Sequence, residues 1–341
     1  MNSQQTQNAP RVMKESKNKI RVEFERTPLK ERLKAKFING NFVKTVIVKI
    51  FTYVLLVGIS YVILFPFFAK ISGSFMSRED FVDVTVKLIP KYPTLDTYKA
   101  IISQNHYFQA LFNTFVLSVL CAFIQTFVCC IIGYGLAKFK FKGNKLIFFL
   151  VIFTMVVPHK TLQLSMFMKF RYFDILGVFE LITGEAFNLT NSYWPLALLS
   201  LGGLAFKNGL YIFMMRQFFS GVPDELEESA YIDGSGVFRT FLQIILPLSV
   251  PMMITIFLFA FSWQWTDNFY TNVFFTKSTI VLMPNIVSVP RTLDTAYAAQ
   301  TLYESAIKNT CGLLILAPLL VMYIFLQKYL VGGIERSGIV G

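Results

Sequence analysis

"PDELEESAYIDGSGVFRTFLQIILPLSVP", Pro223 to Pro251, carries five acidic residues in its first eleven positions, then glycines at 234 and 236, then an apolar run ending in prolines. Pro223 suits a first helical position, where the N–H it lacks would have no partner. Asp224, Glu225, Glu227 and Glu228 then fall where the helix dipole favours anions. Leu226, Ala230 and Tyr231 recur at helical spacing and predict one less polar face. Gly234 is able to take positive φ and close this helix near Ile232 or Asp233. Ser235 is a candidate cap for a second helix, with Phe238, Phe241, Leu242 and Ile245 on one face, until Pro247 removes a donor. Two short helices joined by a glycine hinge are predicted. Leaving their apolar stripe in water costs about 25 cal/mol per Å², so the module calls for a partner surface. A helix lying on a membrane would carry lysine and arginine on its polar face, and this one is acidic.

On both sides of the module the chain is strongly apolar. Over 341 residues, 54% are hydrophobic, 16% aromatic and only 15% charged, with a mean hydropathy of +0.54. A soluble domain of this size is not built that way, and an all-α polytopic membrane protein is expected. The net charge of +12 comes from basic residues gathered in a tail and one short loop that flank apolar stretches. That distribution points to membrane lipid and a cytoplasmic face rather than to nucleic acid.

A spanning helix needs about 20 largely apolar residues. Six stretches meet that length: Ile50 to Ala69, Ala110 to Ala137, Leu146 to Met168, Tyr193 to Met215, Leu248 to Tyr270 and Ala306 to Leu326. Pro158, in "VVPHKTLQ", interrupts the third. Arg26, Lys30, Arg32, Lys34, Lys36 and Lys44 precede the first span, and Lys138, Lys140, Lys142 and Lys145 follow the second, so both segments are assigned to the cytoplasm. Residues 1–45 are then a basic cytoplasmic tail, and the polar "MNSQQTQNAPRVMKESKNK" at its start is expected to be disordered. Residues 46–329 form the transmembrane domain, with the acidic module at 220–247, and 330–341 form a second cytoplasmic tail. Ile71 to Gln109 and Val273 to Ser305 fall outside, where Pro90, Pro93 and Asp96 predict turns and then a short helix. The run after the first tail is longer than a signal-peptide core, which argues for an uncleaved chain.

Cys121, Cys129, Cys130 and Cys311 lie inside apolar runs without CxxC or CxxH spacing and are expected to be buried thiols. His106 and His159 are the two histidines and neither has a second ligand at helical spacing, so no metal site is expected. A nucleophile, base or metal set within the spans is also missing, and catalysis is not expected. No G-x-x-x-x-G-K-[ST] loop occurs, so any ATP-driven step belongs to another chain.

The module also resembles a family signature: E-A-A, three residues, G, nine residues, I, one residue, L-P. It reads here as Glu228, Ser229, Ala230, then Gly234, then Ile244, Leu246 and Pro247, with both gaps kept and Ser229 as the one departure. "LIPKYPTLDTYKAI", "YGLAKFKFKGNK", "FMMRQFFSGVPDELEESAYIDGS" and "GIERSGIVG" extend the likeness over roughly Phe51 to Gly341. The chain resembles permease subunits of ABC importers of the carbohydrate branch, and within it the smaller, six-span permease of the maltose-type pair. The resemblance implies the type I importer fold with a cytoplasmic two-helix coupling loop, in a bacterial plasma membrane with both termini cytoplasmic. It also implies a second homologous permease subunit, two cytosolic ATPase subunits that bind ATP and Mg, and an extracytoplasmic solute-binding protein. A di- or oligosaccharide is the implied substrate. A non-sugar solute remains an alternative, as does a secondary transporter, which would not explain the signature.

In that frame the module docks on the ATPase. Ala230 and Ser229 allow close packing, Asp233 and Glu228 either supply contacts there or cap and solvate the helix, and Gly234 sets the bend. Lys207 lies within the fourth apolar stretch, where a charge costs at least about 2.5 kcal/mol unless it faces protein or water. It either lines the substrate path and favours an acidic saccharide, or pairs structurally. In "WQWTDNFY", Asp267 matches the aspartate of the family's W-N-D-F pattern while Thr266 and Asn268 depart from it. Trp263, Trp265, Asp267 and Asn268 are candidates for the outer mouth, although interfacial anchoring alone also accounts for the tryptophans. "VFELITGEAFNLTNS", before the fourth stretch, is longer than the family's usual loop.

Overall fold

The computed structural model describes residues 11–16, 19–24, 40–277, 279–296 and 299–338, which fall into two compact units, Met1–Ala69 and Lys70–Gly341. In the first, β1 (Arg11–Ser16) and β2 (Lys19–Phe24) pair antiparallel, with Arg11 opposite Phe24 and Ser16 opposite Lys19. Residues 11–16 and 19 of the segment expected to be disordered fall in these two strands. The alternation of Ile20, Val22 and Phe24 with charged residues has the period of two that a strand requires. Residues 1–10 of that tail lie outside the described residues. Helix α1 (Gly40–Ser74) follows, containing Pro66 and covering the first predicted span.

The second unit is helical. Its first short helix is α2 (Asp96–Gln104), where the Pro93 and Asp96 signals predicted one. Helix α3 (Tyr107–Lys138) then runs through the second predicted span. Its core partners are α8 (Asn208–Ser220), α10 (Val237–Trp265) and α12 (Gln300–Gly338), around buried Cys129, Cys130, Tyr211, Met215, Met252, Ile256, Ile307 and Cys311. Small residues let membrane helices approach closely. A Cβ on Gly133 would lie 2.5 Å from Met215 Cβ, so α3 and α8 touch there nearly backbone to backbone. All four cysteines are free and buried.

Two of the six expected stretches are interrupted. Among the described residues, four helices are long and apolar enough to cross a membrane: Lys44–Ser74 within α1, α3, α10 and Gln300–Lys328 within α12. The third stretch is a bent pair, α4 (Asn144–Val156) and α5 (His159–Arg171), meeting at 91°. Val157 has an extended ψ of 121°, because a proline disfavours helical backbone in the residue before it, and Pro158 itself is extended at 120°. The fourth stretch divides into α7 (Trp194–Leu201) and α8, separated by "GGLAFK" with Gly203 and Lys207 both at positive φ. The long loop before it is built rather than open. It holds α6 (Val178–Thr183), Phe173 bridges Phe187, and the Asp174 carboxylate accepts the Phe179 N–H at 2.9 Å.

Candidate functional site: an acidic helical module and a cavity between interrupted helices

The module begins with α9 (Glu225–Ile232), whose first turn carries Glu225, Glu227 and Glu228. Gly234 closes it at φ +80°. The Ser235 N–H donates to Ala230 O at 2.9 Å and the Gly234 N–H to Tyr231 O at 3.0 Å, the paired bonds of a Schellman cap. A Cβ on Gly234 would meet nothing within 4 Å. Backbone conformation, not space, therefore requires glycine there.

The second predicted helix is not a separate short element. Gly236, not Ser235, is its N-cap, and no side chain caps it. The chain continues through a π turn at Phe241–Ile245 into Leu246–Trp265, making one helix of 29 residues. Pro247 falls in the first turn after the π turn and does not end the helix. The Leu246 N–H reaches back to Phe241 O, and this wider turn carries the backbone over the position where proline offers no donor.

The predicted faces are also turned. Glu227 and Ala230 are the buried residues of α9, whereas Leu226 and Tyr231 are exposed. Ala230 packs within its own chain and is not on the outer surface. On α10, Ile245 is buried and Phe241 half-buried, but Phe238 is 74% exposed and Leu242 also faces out. Glu228, Ser229, Asp233 and Gly234 are exposed, and the Ser229 hydroxyl donates to Glu225 O at 2.7 Å. Ile244 and Leu246 are half-buried and Pro247 is exposed. The outer surface thus presents Leu226, Ile232 and Phe238 between carboxylates.

Lys138, read in the sequence only as an orienting charge, ties the module to α3. Its ammonium donates to Val222 O at 2.7 Å and to the Asp224 carboxylate. The hydrogen bond and charge of Lys138 hold the Asp224 carboxyl below its usual range.

The second region lies between the interrupted helices. A cavity of about 510 Å³ opens between α4–α5 on one side and α7–α8 on the other, lined in part by Thr154, His159, Gly203, Phe206, Lys207 and Asn208. Lys207 sits at the N-cap of α8 with φ +68°. Its Nζ lies 4.8 Å from the Phe206 ring centre and 4.9 Å from that of Trp263. A smaller crevice beside it is lined by Gln125, Phe206, Trp263, Gln264, Asp267 and Tyr270. Phe206 separates the two.

The other outer-mouth candidates divide. The Asp267 carboxylate accepts the Tyr270 N–H at 3.3 Å and the Thr271 N–H at 3.2 Å, and so caps α11 (Phe269–Phe274). Asn268 is exposed, its Oδ1 accepting from Asn272 at 3.0 Å. Trp265 is 2% exposed and donates through Nε1 to Ile315 O of α12 at 3.0 Å, which makes it part of the core and not of a mouth. His159, Asn208 and Gln125 were not singled out as site residues. For His159 and Asn208 the signal is the Pro158 and Gly202–Gly203 interruptions, since broken helices in a membrane mark polar sites, whereas Gln125 lies within unbroken α3.

Apolar helices with two interrupted pairs, a mostly apolar cavity between them that Lys207, His159 and Asn208 also line, and a signature module at one end define a membrane permease. The family described as "Binding-protein-dependent transport system inner membrane component" matches residues 130–336, and the chain belongs to it. It is a multi-pass transport component of the plasma membrane and not an enzyme. It is 28% identical over 300 residues to the galactooligosaccharides transport system permease protein GanQ of Bacillus subtilis (strain 168), covering 86% of this chain and 95% of that one. It is also 28% identical over 285 residues to the polygalacturonan/rhamnogalacturonan transport system permease protein YtcP of the same organism, covering 81% and 92%. The fold matches a chain from the crystal structure of a bacterial ABC transporter involved in the import of the acidic polysaccharide alginate. That likeness has a TM-score of 0.62 at 20% identity and covers 83% of this chain and 96% of that one.

Proposed function

We propose that this permease belongs to an ATP-driven importer of di- or oligosaccharides, working with a second homologous permease, two cytosolic ATPase subunits that bind ATP and Mg, and an extracytoplasmic solute-binding protein. The relatives' names supply the substrate class: galactooligosaccharides for one and polygalacturonan or rhamnogalacturonan for another. Both termini and the 220–247 module are cytoplasmic in this reading, which the lysines at 138, 140, 142 and 145 support.

The observation that carries the mechanism is the continuity of α10 with the module. Docking of the ATPase on Leu226, Ile232 and Phe238, with Glu228 and Asp233 beside them, loads a helix that runs unbroken from Val237 to Trp265, about 44 Å at 1.5 Å per residue. Closure of the ATPase pair then moves that helix as a lever. The Schellman cap at Gly234 fixes the angle between α9 and α10, and Lys138 couples the same movement into α3.

Gly234→Pro tests this, because proline holds φ near −65° and cannot take the observed +80°. The variant should reach the membrane and assemble with the ATPase, while ATP hydrolysis no longer drives uptake. Normal uptake by an assembled Gly234→Pro complex would remove the lever mechanism. Failure of the wild-type chain to co-purify with any ATPase would favour a secondary transporter.

A further inference from the structure

The cavity between the interrupted pairs holds groups that the coupling mechanism leaves unused. Lys207 forms no ion pair among the described residues, although an ammonium within an apolar stretch is costly without a counter-charge. It also occupies a left-handed conformation that a non-glycine residue adopts at some cost. Beside it, Asn208 is 1% exposed, and neither its Oδ1 nor its Nδ2 has a hydrogen-bond partner. Buried amides are ordinarily paired, and an orphan on both atoms asks for an explanation. Both residues stand at the N-terminus of α8, a helix of 13 residues whose first turn adds partial positive charge.

We propose that this cavity receives the carboxylate of a uronate-containing oligosaccharide as it passes through the protein. The proposal rests on the oligosaccharide reading above. Lys207 supplies the charge that a carboxylate complements and a neutral sugar does not. Asn208, buried beside it, has an unpaired acceptor as well as an unpaired donor, and a sugar acid, which brings hydroxyl donors together with its carboxylate, can satisfy both atoms. Phe206 and the half-exposed Trp263 add ring faces beside the charge. The volume of about 510 Å³ lies within the range of small-ligand sites.

The test uses the complete importer, reconstituted with its binding protein in vesicles with and without phosphatidylglycerol, and supplied with trigalacturonate or a neutral galactose trisaccharide. Lys207→Gln should lower the uptake of trigalacturonate relative to the neutral trimer by about tenfold, the scale of one charge-assisted hydrogen bond. Lys207→Arg, which keeps the charge, should restore most of that preference and shows that the loss is not one of folding. An unchanged preference in Lys207→Gln overturns the proposal and leaves the oligosaccharide reading in place, as does a wild-type importer that carries only the neutral sugar. An effect confined to vesicles with phosphatidylglycerol assigns the cavity to a lipid headgroup and also overturns it. Wild-type failure on both trimers removes the saccharide reading itself and the proposal with it.

Discussion

Pro158 and Pro318 both sit inside apolar stretches of this chain, and Pro158 breaks its helix while Pro318 does not. Pro318 lies within α12, which continues past it to Gly338. Pro158 separates α4 from α5 at 91°. Each removes an N–H that the carbonyl four residues earlier would have used. Near Pro318 that carbonyl, Leu314 O, accepts the Tyr107 hydroxyl at 3.3 Å, and the next, Ile315 O, accepts Trp265 Nε1 at 3.0 Å. At Pro158 the chain instead turns and starts again, with the Thr161 N–H and hydroxyl both donating to Pro158 O, at 3.1 and 2.6 Å. At Pro318 side chains of neighbouring helices thus take up the freed carbonyls, and at Pro158 the helix breaks instead. The continuous side carries α10, the proposed lever, and the interrupted side carries the cavity beside Lys207.

The comparison can be broken most severely where the two sides meet. Gly133→Leu forces α3 away from α8 and should lower the stability of the solubilised protein by about 3 kcal/mol, read as a fall in its thermal midpoint. An unchanged midpoint would mean that the close approach at Met215 is not a constraint. Trp265→Phe keeps the aromatic bulk but leaves Ile315 O without its donor in a dry core, at a cost of about 2 kcal/mol. If donors from α3 and α10 are what let α12 pass Pro318, this variant should also speed amide exchange around residue 319. Unaltered exchange there would sink the explanation offered for Pro318.

The smallest effect concerns Asp224, an exposed carboxylate held below its usual range by Lys138. Because its pKa is lower in the folded protein, its contribution is present above about pH 3.9, the ordinary aspartate value, and is lost as the pH falls through the folded value. The gap in thermal midpoint between wild type and Asp224→Asn should be small and steady near neutral pH, and should close in acid. A gap that widens in acid would show that Lys138 is not the partner that matters.

Much of the molecule was legible in one dimension. Span-length apolar runs, the acidic first turn of α9 and the glycine at 234 follow from hydrocarbon thickness, the helix dipole and the φ that glycine alone takes cheaply. These are local or compositional properties, and a sequence displays them directly. The family signature belongs here too, since its spacing survives the Ser229 departure.

Only tertiary structure decided which way the parts face and where helices stop. Leu226 and Phe238 share helical spacing with residues that turned out to be buried, because helical period defines faces without saying which one α3 will cover. Trp265, an outer-mouth candidate near the end of its stretch, and Lys207, a mid-stretch charge, part ways in the fold. The carbonyl of Ile315 drew one into the core, and a break at Gly202–Lys207 left the other at a cavity edge with no ion pair among the described residues. The fates of Pro158, Pro247 and Pro318 differ for the same reason. A proline's missing donor is written in the sequence, but the π turn or the side chain from another helix that compensates for it exists only once the chain has packed.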